Sequence, residues 1–425
     1  MKISIPLRIP SNKEMDMFRM SKSVLARDIL RIAYNLFETE KRIKDGEKIA
    51  ELDLKLSLVT YCTLIETNIE KDFEKIFRDI LGKHIKVNIY ASSNLKYKKL
   101  RKIIYNKKYE NVCLFSGGVD SFIGLLESKE KYSDLVGVFV AHSDQAGVIN
   151  IVNNLIDETV SYFNIPVKKV YAPAIRPKKN KQGYSQLRGL LYILCCGAFM
   201  SLSQSKNLIV TECGATMYQP KFGALDSTTH TTHPIILKTA DKLLKLLLGD
   251  DFILTIPFED MTKAEIIAFS KYNEYLPKTH SCISARFRNN CGTCYGCVIR
   301  RLGSILVGIK DSEYSKDILA DEKIDDDNLI ALLRFSYYFI REKERLKHYN
   351  LERISDYGKE DLFTRQSLDI LSAFYLLNKS KYPLTGRLKK AYEVYVSGFS
   401  EDILIKRIKE VRTKKKKPSF NKIVS

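Results

Sequence analysis

Residues 111–129 constrain this chain more than any other stretch. A short apolar run, Val112 to Phe115, breaks at Ser116-Gly117-Gly118-Val119-Asp120-Ser121, and helical apolar spacing follows at once. An apolar run of this length, ended by glycines, predicts a strand covered on both faces, as in a parallel sheet. A strand, a glycine turn and a helix start in that order also make an anion seat. Glycines let the backbone approach a ligand closely. The helix start presents unpaired N–H groups and a partial positive charge. Ser116 and Ser121 add hydroxyl donors. The mononucleotide loop that ends in Gly-Lys-Ser/Thr is absent.

The surrounding pattern predicts an α/β fold built on a parallel, doubly wound, Rossmann-like sheet. Strand candidates fall at 112–115, 135–141, 167–172, 208–212 and 252–256, and helix candidates at 149–163, 185–202 and 234–248. Such alternation gives parallel strands joined by crossover helices. Ligands then bind at the carboxyl ends of the strands, where the glycine turn leaves the first strand. Residues 109–310 are read as this domain. Residues 1–108 read as an α+β accessory domain, with strands at 2–9, 51–60 and 85–90, helices at 23–43 and 69–81, and a basic connector at 96–108. Residues 311–425 read as a helical extension, with helices at 327–346, 364–377 and 386–396 fading into a basic, solvated tail.

At 425 residues, two or three domains are expected. Hydrophobic content of 45% and charged content of 28% fit a globular protein rather than a disordered one. No apolar stretch reaches a membrane-spanning length, and Met1 to Leu7 lacks a secretory core. A cytoplasmic protein with no membrane partner is expected. The net charge of +20 invites a nucleic-acid partner. That reading is not favoured, because lysine is abundant together with isoleucine, asparagine and tyrosine, a composition typical of AT-rich genomes. Much of the excess sits at 176–181 and in the tail from Arg412 to Pro418.

Cys282, Cys291, Cys294 and Cys297 place four thiols within 16 residues, three of them as a double Cys-x-x-Cys. That spacing suits a tetrahedral Zn²⁺ whose closed sulfur shell leaves no position for water, hence a structural site. An iron–sulfur cluster is the competing reading, and disulfides would need an oxidising compartment. Of the remaining cysteines, Cys213 follows a strand end beside Gly214 and is a candidate reactive thiol.

Ser116 to Ser121 resembles the pyrophosphate loop of ATP pyrophosphatases. Together with the late four-cysteine cluster, the chain is similar over about residues 110–305 to the 7-cyano-7-deazaguanine synthase family, QueC, and its relatives in bacterial anti-phage defence. Gln186-Leu187-Arg188-Gly189, Thr255-Ile256-Pro257-Phe258, Thr262-Lys263-Ala264-Glu265 and Arg300-Arg301 match family segments in order. The resemblance implies a pyrophosphate-loop fold and ATP-dependent adenylation of a 7-carboxy-7-deazaguanine carboxylate. AMP and pyrophosphate are released, and an amide or nitrile forms.

It further implies that Ser116, Gly117, Gly118, Val119 and Ser121 hold phosphate, with Asp120 ordering the loop or binding Mg²⁺. Arg188 and Lys263, at expected helix starts, would reach phosphate oxygens, ordinary surface charge being the alternative, and Phe139 and Val140 would flank adenine, core packing being the alternative. The chain departs from the synthases after the second and fourth strands. At the second site it has Glu212-Cys213-Gly214 and then a Thr/His run to His230 and His233. Glu212 and Gly214 with His230 and His233 are the candidate substrate-binding residues, the run being equally readable as a polar loop capping the helix at Pro234. The altered pocket and the two flanking regions suggest the defence branch and transfer of the acyl group to an amine of a partner protein. A nucleic-acid sulfur transferase and a nucleotide-sensing scaffold are the alternatives.

Overall fold

The computed structural model describes residues 23–92, 108–142, 146–172, 185–220, 232–282, 289–319, 327–349, 351–380, 384 and 386–420. The expected strand at 2–9 and most of the basic connector lie outside them. The first element is α1 (Val24–Lys44), capped by Ser23, whose Oγ accepts the Ala26 N–H at 3.2 Å. Then come β1 (Glu51–Leu56), α2 (Leu58–Leu64), α3 (Ile69–Leu81) and β2 (Lys86–Ala91). β1 and β2 pair in parallel, Leu52 opposite Val87. The strand expected over 51–60 stops early because Ser57 turns the chain. Its N–H donates to Asp28 Oδ2 at 3.1 Å, and its Oγ caps α2 by accepting the Thr60 N–H at 3.3 Å.

The central sheet is made by β3 (Asn111–Leu114), β4 (Leu135–His142), β5 (Val167–Ala172), β6 (Asn207–Val210) and β7 (Ile253–Thr255). Between and after them run α4 (Val119–Lys131), α5 (Ala146–Phe163), α6 (Arg188–Ser203), α7 (Gly214–Met217), α8 (Pro234–Leu248) and α9 (Lys263–Phe269). The strand order is β5-β4-β3-β6-β7, with every pairing parallel. The chain enters at the centre, winds outward through β4 and β5, and returns to the other side of β3. Successive strand residues point to opposite faces. Val112, Leu114 and Val138 accordingly pack with α6 and α8, whereas Cys113, Phe115 and Ile209 pack with Phe122 and Leu125 of α4 and Val152 of α5. The α/β expectation with a parallel sheet holds. Because each crossover helix runs back against its strand, the starts of α4, α6, α8 and α9 all lie at the carboxyl edge.

Ile29, Ala33, Leu36 and Phe37 of α1 join the same apolar cluster as Leu190 and Leu194 of α6 and the sheet. The N-terminal flank thus shares a continuous core with the sheet. The later elements are α10 (Tyr295–Val307), α11 (Asp327–Arg341), α12 (Glu352–Ser355), α13 (Glu360–Asn378), α14 (Gly386–Tyr395) and α15 (Glu401–Thr413). Most of them close around a second apolar cluster containing Leu302, Leu333, Phe374 and Leu404.

Here the structure corrects the expected fading tail. Residues 401–413 form a helix that buries Leu404, Arg407, Ile408 and Val411, a stripe at helical spacing that the charged composition concealed. Beyond it, 414–420 runs without secondary structure but in contact. The Ser419 N–H donates to Pro257 O at 2.9 Å, and Phe420 packs edge-on against Tyr132. Among the described residues no helix is long and apolar enough to cross a membrane.

Candidate active site and metal centre

The glycine turn sits between β3 and α4. Gly117 has φ of +80°, and a Cβ there would meet Val152 Cγ2 at 2.5 Å. Glycine is required at this position on both counts. The two serines tie the turn together. Ser116 N–H donates to Ser121 Oγ at 3.1 Å, the two hydroxyls lie 2.9 Å apart, and Ser121 Oγ donates to Gly118 O at 3.1 Å. Both hydroxyls, expected as free phosphate donors, already hold the loop's shape.

Asp120 lies in the first turn of α4 and Lys263 is the first residue of α9. They are 143 residues apart in sequence, and their side chains form an ion pair. Asp120 Oδ2 also accepts the Cys213 N–H at 3.3 Å, while Asp120 Oδ1 is buried without a hydrogen-bond partner. Burial pulls the Lys263 ammonium down, but Asp120, Cys213 and Glu212 outweigh it and the net direction is up. Glu212 completes the cluster just past β6. Burial first, and then repulsion from Asp120, push its carboxyl up to about 7, against the pull of Lys263, the Cys213 backbone and the Thr232 side chain. One buried ammonium thus sits among two carboxylates, and the raised Glu212 carboxyl is suited to proton transfer near neutral pH.

Gly214 starts α7. Its backbone packs so tightly on the 257–261 turn that a Cβ would lie 1.8 Å from Glu259 O. Cys213 is fully buried, its Sγ donates to Met261 O at 3.3 Å, and burial pushes the thiol up to about 12. It is a packing residue, poorly suited to nucleophilic chemistry. His233 caps α8, with Nδ1 accepting the Ile235 N–H at 3.2 Å. That is the capping role weighed for the Thr/His run. His230 lies outside the described residues. Phe139 and Val140 are buried inside β4 on opposite faces, each in a different core cluster. Neighbouring strand residues cannot flank one ring from the same side, so core packing accounts for both.

Arg188 is the first residue of α6, as its sequence context suggested. The carboxylate that caps this helix start comes from α1. Glu40 accepts from Ser185 Oγ at 2.6 Å, Gln186 N at 2.6 Å and Leu187 N at 2.9 Å. The helix start at Lys263 is held from the other flank. Thr262 and Glu265 form a capping box. Thr262 Oγ1 donates to Asp369 Oδ2 at 2.5 Å, and Arg407 bonds both Asp369 Oδ1 at 2.7 Å and Glu265 Oε1 at 2.8 Å. Sequence reading missed Glu40, Asp369 and Arg407, because their partners lie about 40 to 150 residues away and no local motif announces them.

The four cysteines converge as their spacing predicted. Their sulfurs all lie within 4.8 Å of one another, and Cys291–Cys297 and Cys294–Cys297 are 3.8 and 3.4 Å apart. A tetrahedral Zn²⁺ with bonds of about 2.3 Å needs sulfurs about 3.8 Å apart. The Cys294 and Thr293 N–H groups point at Cys291 Sγ at 3.3 and 3.4 Å, and Cys291 N–H at Cys282 Sγ at 3.3 Å, as bound thiolates require. The set can hold a metal ion and suits structural zinc. The knuckle also grips the glycine loop: His280 N–H donates to Gly117 O at 2.8 Å, and Val119 N–H to Ser281 Oγ at 3.3 Å. Buried Arg300 ties this segment down through Thr279 O at 2.9 Å and Asp311 Oδ1 at 2.7 Å.

The family model described as "QueC: Queuosine biosynthesis protein QueC" matches residues 231–307. The matched span carries His233, Lys263, all four cysteines and Arg300. It supports a QueC-like reading and an ATP-dependent enzyme of the pyrophosphate-loop class. No curated protein matches the chain.

Proposed function

We propose that this chain is an ATP-dependent, AMP-forming C–N ligase of the QueC type. In this reading it adenylates the carboxylate of a 7-carboxy-7-deazaguanine-like acid and passes the acyl group to an amine. The observation that carries the proposal is the Asp120–Lys263–Glu212 cluster, assembled from three elements at the sheet's carboxyl edge beside the glycine turn. The backbone from Ser116 to Ser121 seats the departing pyrophosphate. Arg188 and Lys263 offset the charge that develops on it, and stabilising that charge is the main lever in such a transfer. Asp120 Oδ1, buried without a partner, is suited to hold Mg²⁺, which would supply charge neutralisation on the phosphates when bound.

A carboxylate oxygen attacks the α-phosphorus, the bond to the β-phosphate oxygen breaks, and pyrophosphate leaves. The amine nitrogen then attacks the acyl carbon, AMP leaves with the bonding pair, and the amine proton passes to Glu212. A carboxyl near 7 is half ionised at neutral pH and fit for that transfer. Ammonia as the amine gives an amide, which a second adenylation converts to a nitrile. A lysine or chain-terminal amine of a partner gives a protein-bound amide. The two flanks that hold the cation-bearing helices support the partner version and the anti-phage branch. The inert setting of Cys213 speaks against sulfur transfer.

Incubation with ATP and 7-carboxy-7-deazaguanine, followed by pyrophosphate exchange and product mass, tests the proposal. Exchange that depends on the acid supports it; exchange with no deazapurine, or none with any, overturns it. Free nitrile as the sole product removes the partner version alone.

A further inference from the structure

A cleft of about 490 Å³ is lined by Met217 and Tyr218, by Ile256, Pro257 and residues 259–261, and by the C-terminal flank. That volume is within the range of sites that hold ligands. Its floor is apolar, with Met217, Pro234 and Met261. Its rim carries Lys238, Lys359, Lys416 and Lys417 against Glu259 and Asp260. The two carboxylates are already matched, Glu259 by Lys359 at 3.3 Å and by the Tyr218 hydroxyl, and Asp260 by Lys416 and by Arg365 at 3.1 Å. Lys238 and Lys417 are exposed and leave the rim cationic. Tyr218 and Tyr357 pack at 5.3 Å between ring centroids, with the Lys359 ammonium 4.8 Å from the Tyr218 ring. The C-terminal flank supplies Tyr357, Lys359, Lys416, Lys417 and Ser419 to this cleft, and the reactions proposed at the glycine turn use none of these residues.

We infer that the cleft binds an acidic, extended polypeptide segment of a partner protein. Charge favours an anion. Glu259 and Asp260 are already paired and leave the rim's charge to Lys238 and Lys417. Backbone geometry favours polypeptide. β7 is the edge strand of the sheet, and just past it Pro257 O accepts the N–H of Ser419, from a segment without regular structure, so that polypeptide backbone already bonds there. Addition of an extended segment beside a sheet edge is a general mode of peptide recognition. The apolar floor takes alternate side chains, while the lysines take the acidic ones. The assignment stands on the cleft alone and does not require the adenylation chemistry.

The test uses the full chain and a fluorescein-labelled peptide of alternating glutamate and leucine, read by anisotropy at physiological salt. Saturable binding is expected. It should weaken at least tenfold in a Lys238→Glu, Lys417→Glu double variant and stay within twofold in a Lys71→Glu, Lys347→Glu variant that makes the same charge change elsewhere. Pyrophosphate exchange should be the same in all three proteins. Absence of saturable binding, equal weakening in both variants, or displacement of the peptide by a single-stranded oligonucleotide at lower concentration than by unlabelled peptide would each overturn the inference. Peptide binding without any pyrophosphate exchange would strike the proposed chemistry and leave the cleft assignment standing.

Discussion

The two flanks do the same job by different physics. The N-terminal flank holds the start of α6, and with it Arg188, through one carboxylate, Glu40, which accepts from two backbone N–H groups and a hydroxyl. The C-terminal flank holds the start of α9, and with it Lys263, through a buried ion network of Arg407, Asp369 and Glu265. A carboxylate on a helix start satisfies orphan donors and complements the dipole. It is tolerant, because the helix keeps its own hydrogen bonds if the cap is lost. A buried ion network is brittle, since deleting one partner strands the others without water. The lesson is that the ammonium nearest the chemistry is held by the more fragile device.

The largest expected effect breaks the brittle side. Arg407→Ala leaves Asp369 buried without its cation and Glu265 with Arg365 alone, and should cost about 3–5 kcal/mol of stability. The midpoint of denaturant unfolding reads it. A loss below about 1 kcal/mol would show that the two clamps do not differ in kind. Next comes the cation itself. Lys263→Ala should lower kcat for pyrophosphate release by about 10²–10³, the usual cost of removing one charge-stabilising donor. Arg188→Ala should lower it less, because Arg188 is not bonded to Asp120. Equal losses would mean that the two helix starts serve the phosphates equally.

On the tolerant side, Glu40→Ala should cost about 1.5–3 kcal/mol, the worth of a hydrogen bond to a charged group. It should raise KM for ATP more than it lowers kcat, and Glu40→Gln should recover part of the loss. The smallest effect is in pH. Glu212 must be ionised to accept the amine proton, and its carboxyl is pushed up to about 7. Amine transfer should therefore rise with pH through about 7, while pyrophosphate exchange stays flat there. Glu212→Gln should abolish the rise, and an unchanged profile would remove Glu212 from proton transfer.

Local signals carried much of the fold. The strand at 167–172 and the helices at 69–81 and 234–248 match in full, the helices because strong amphipathic spacing was aligned with their end signals. The four-cysteine knuckle was legible from spacing alone, and Arg188 and Lys263 at helix starts from their local context. Two kinds of information were not legible. One is burial at low apolar content, as in α15, where Arg407 occupies an inward position that composition marks as solvent. The other is pairing across the chain. Asp120 read as a loop or metal residue, and nothing near it in sequence announced Lys263. Nothing near Glu40 in sequence announced Ser185, Gln186 or Leu187. Phe139 and Val140 show the converse, for a strand end placed by apolar content alone falls short of its true end at His142.

Glu40 carries a consequence for anyone who would trim this protein. A gene fragment opening at Tyr109 would encode every strand of the central sheet, the glycine turn and the knuckle. It would also strip the oxygen atoms from three donors at the head of α6 and uncover the flank of that helix where Phe37 and Leu36 now rest. Such a minimal version should dissolve poorly and grip nucleotide weakly, although no residue of the reactive cluster had been touched.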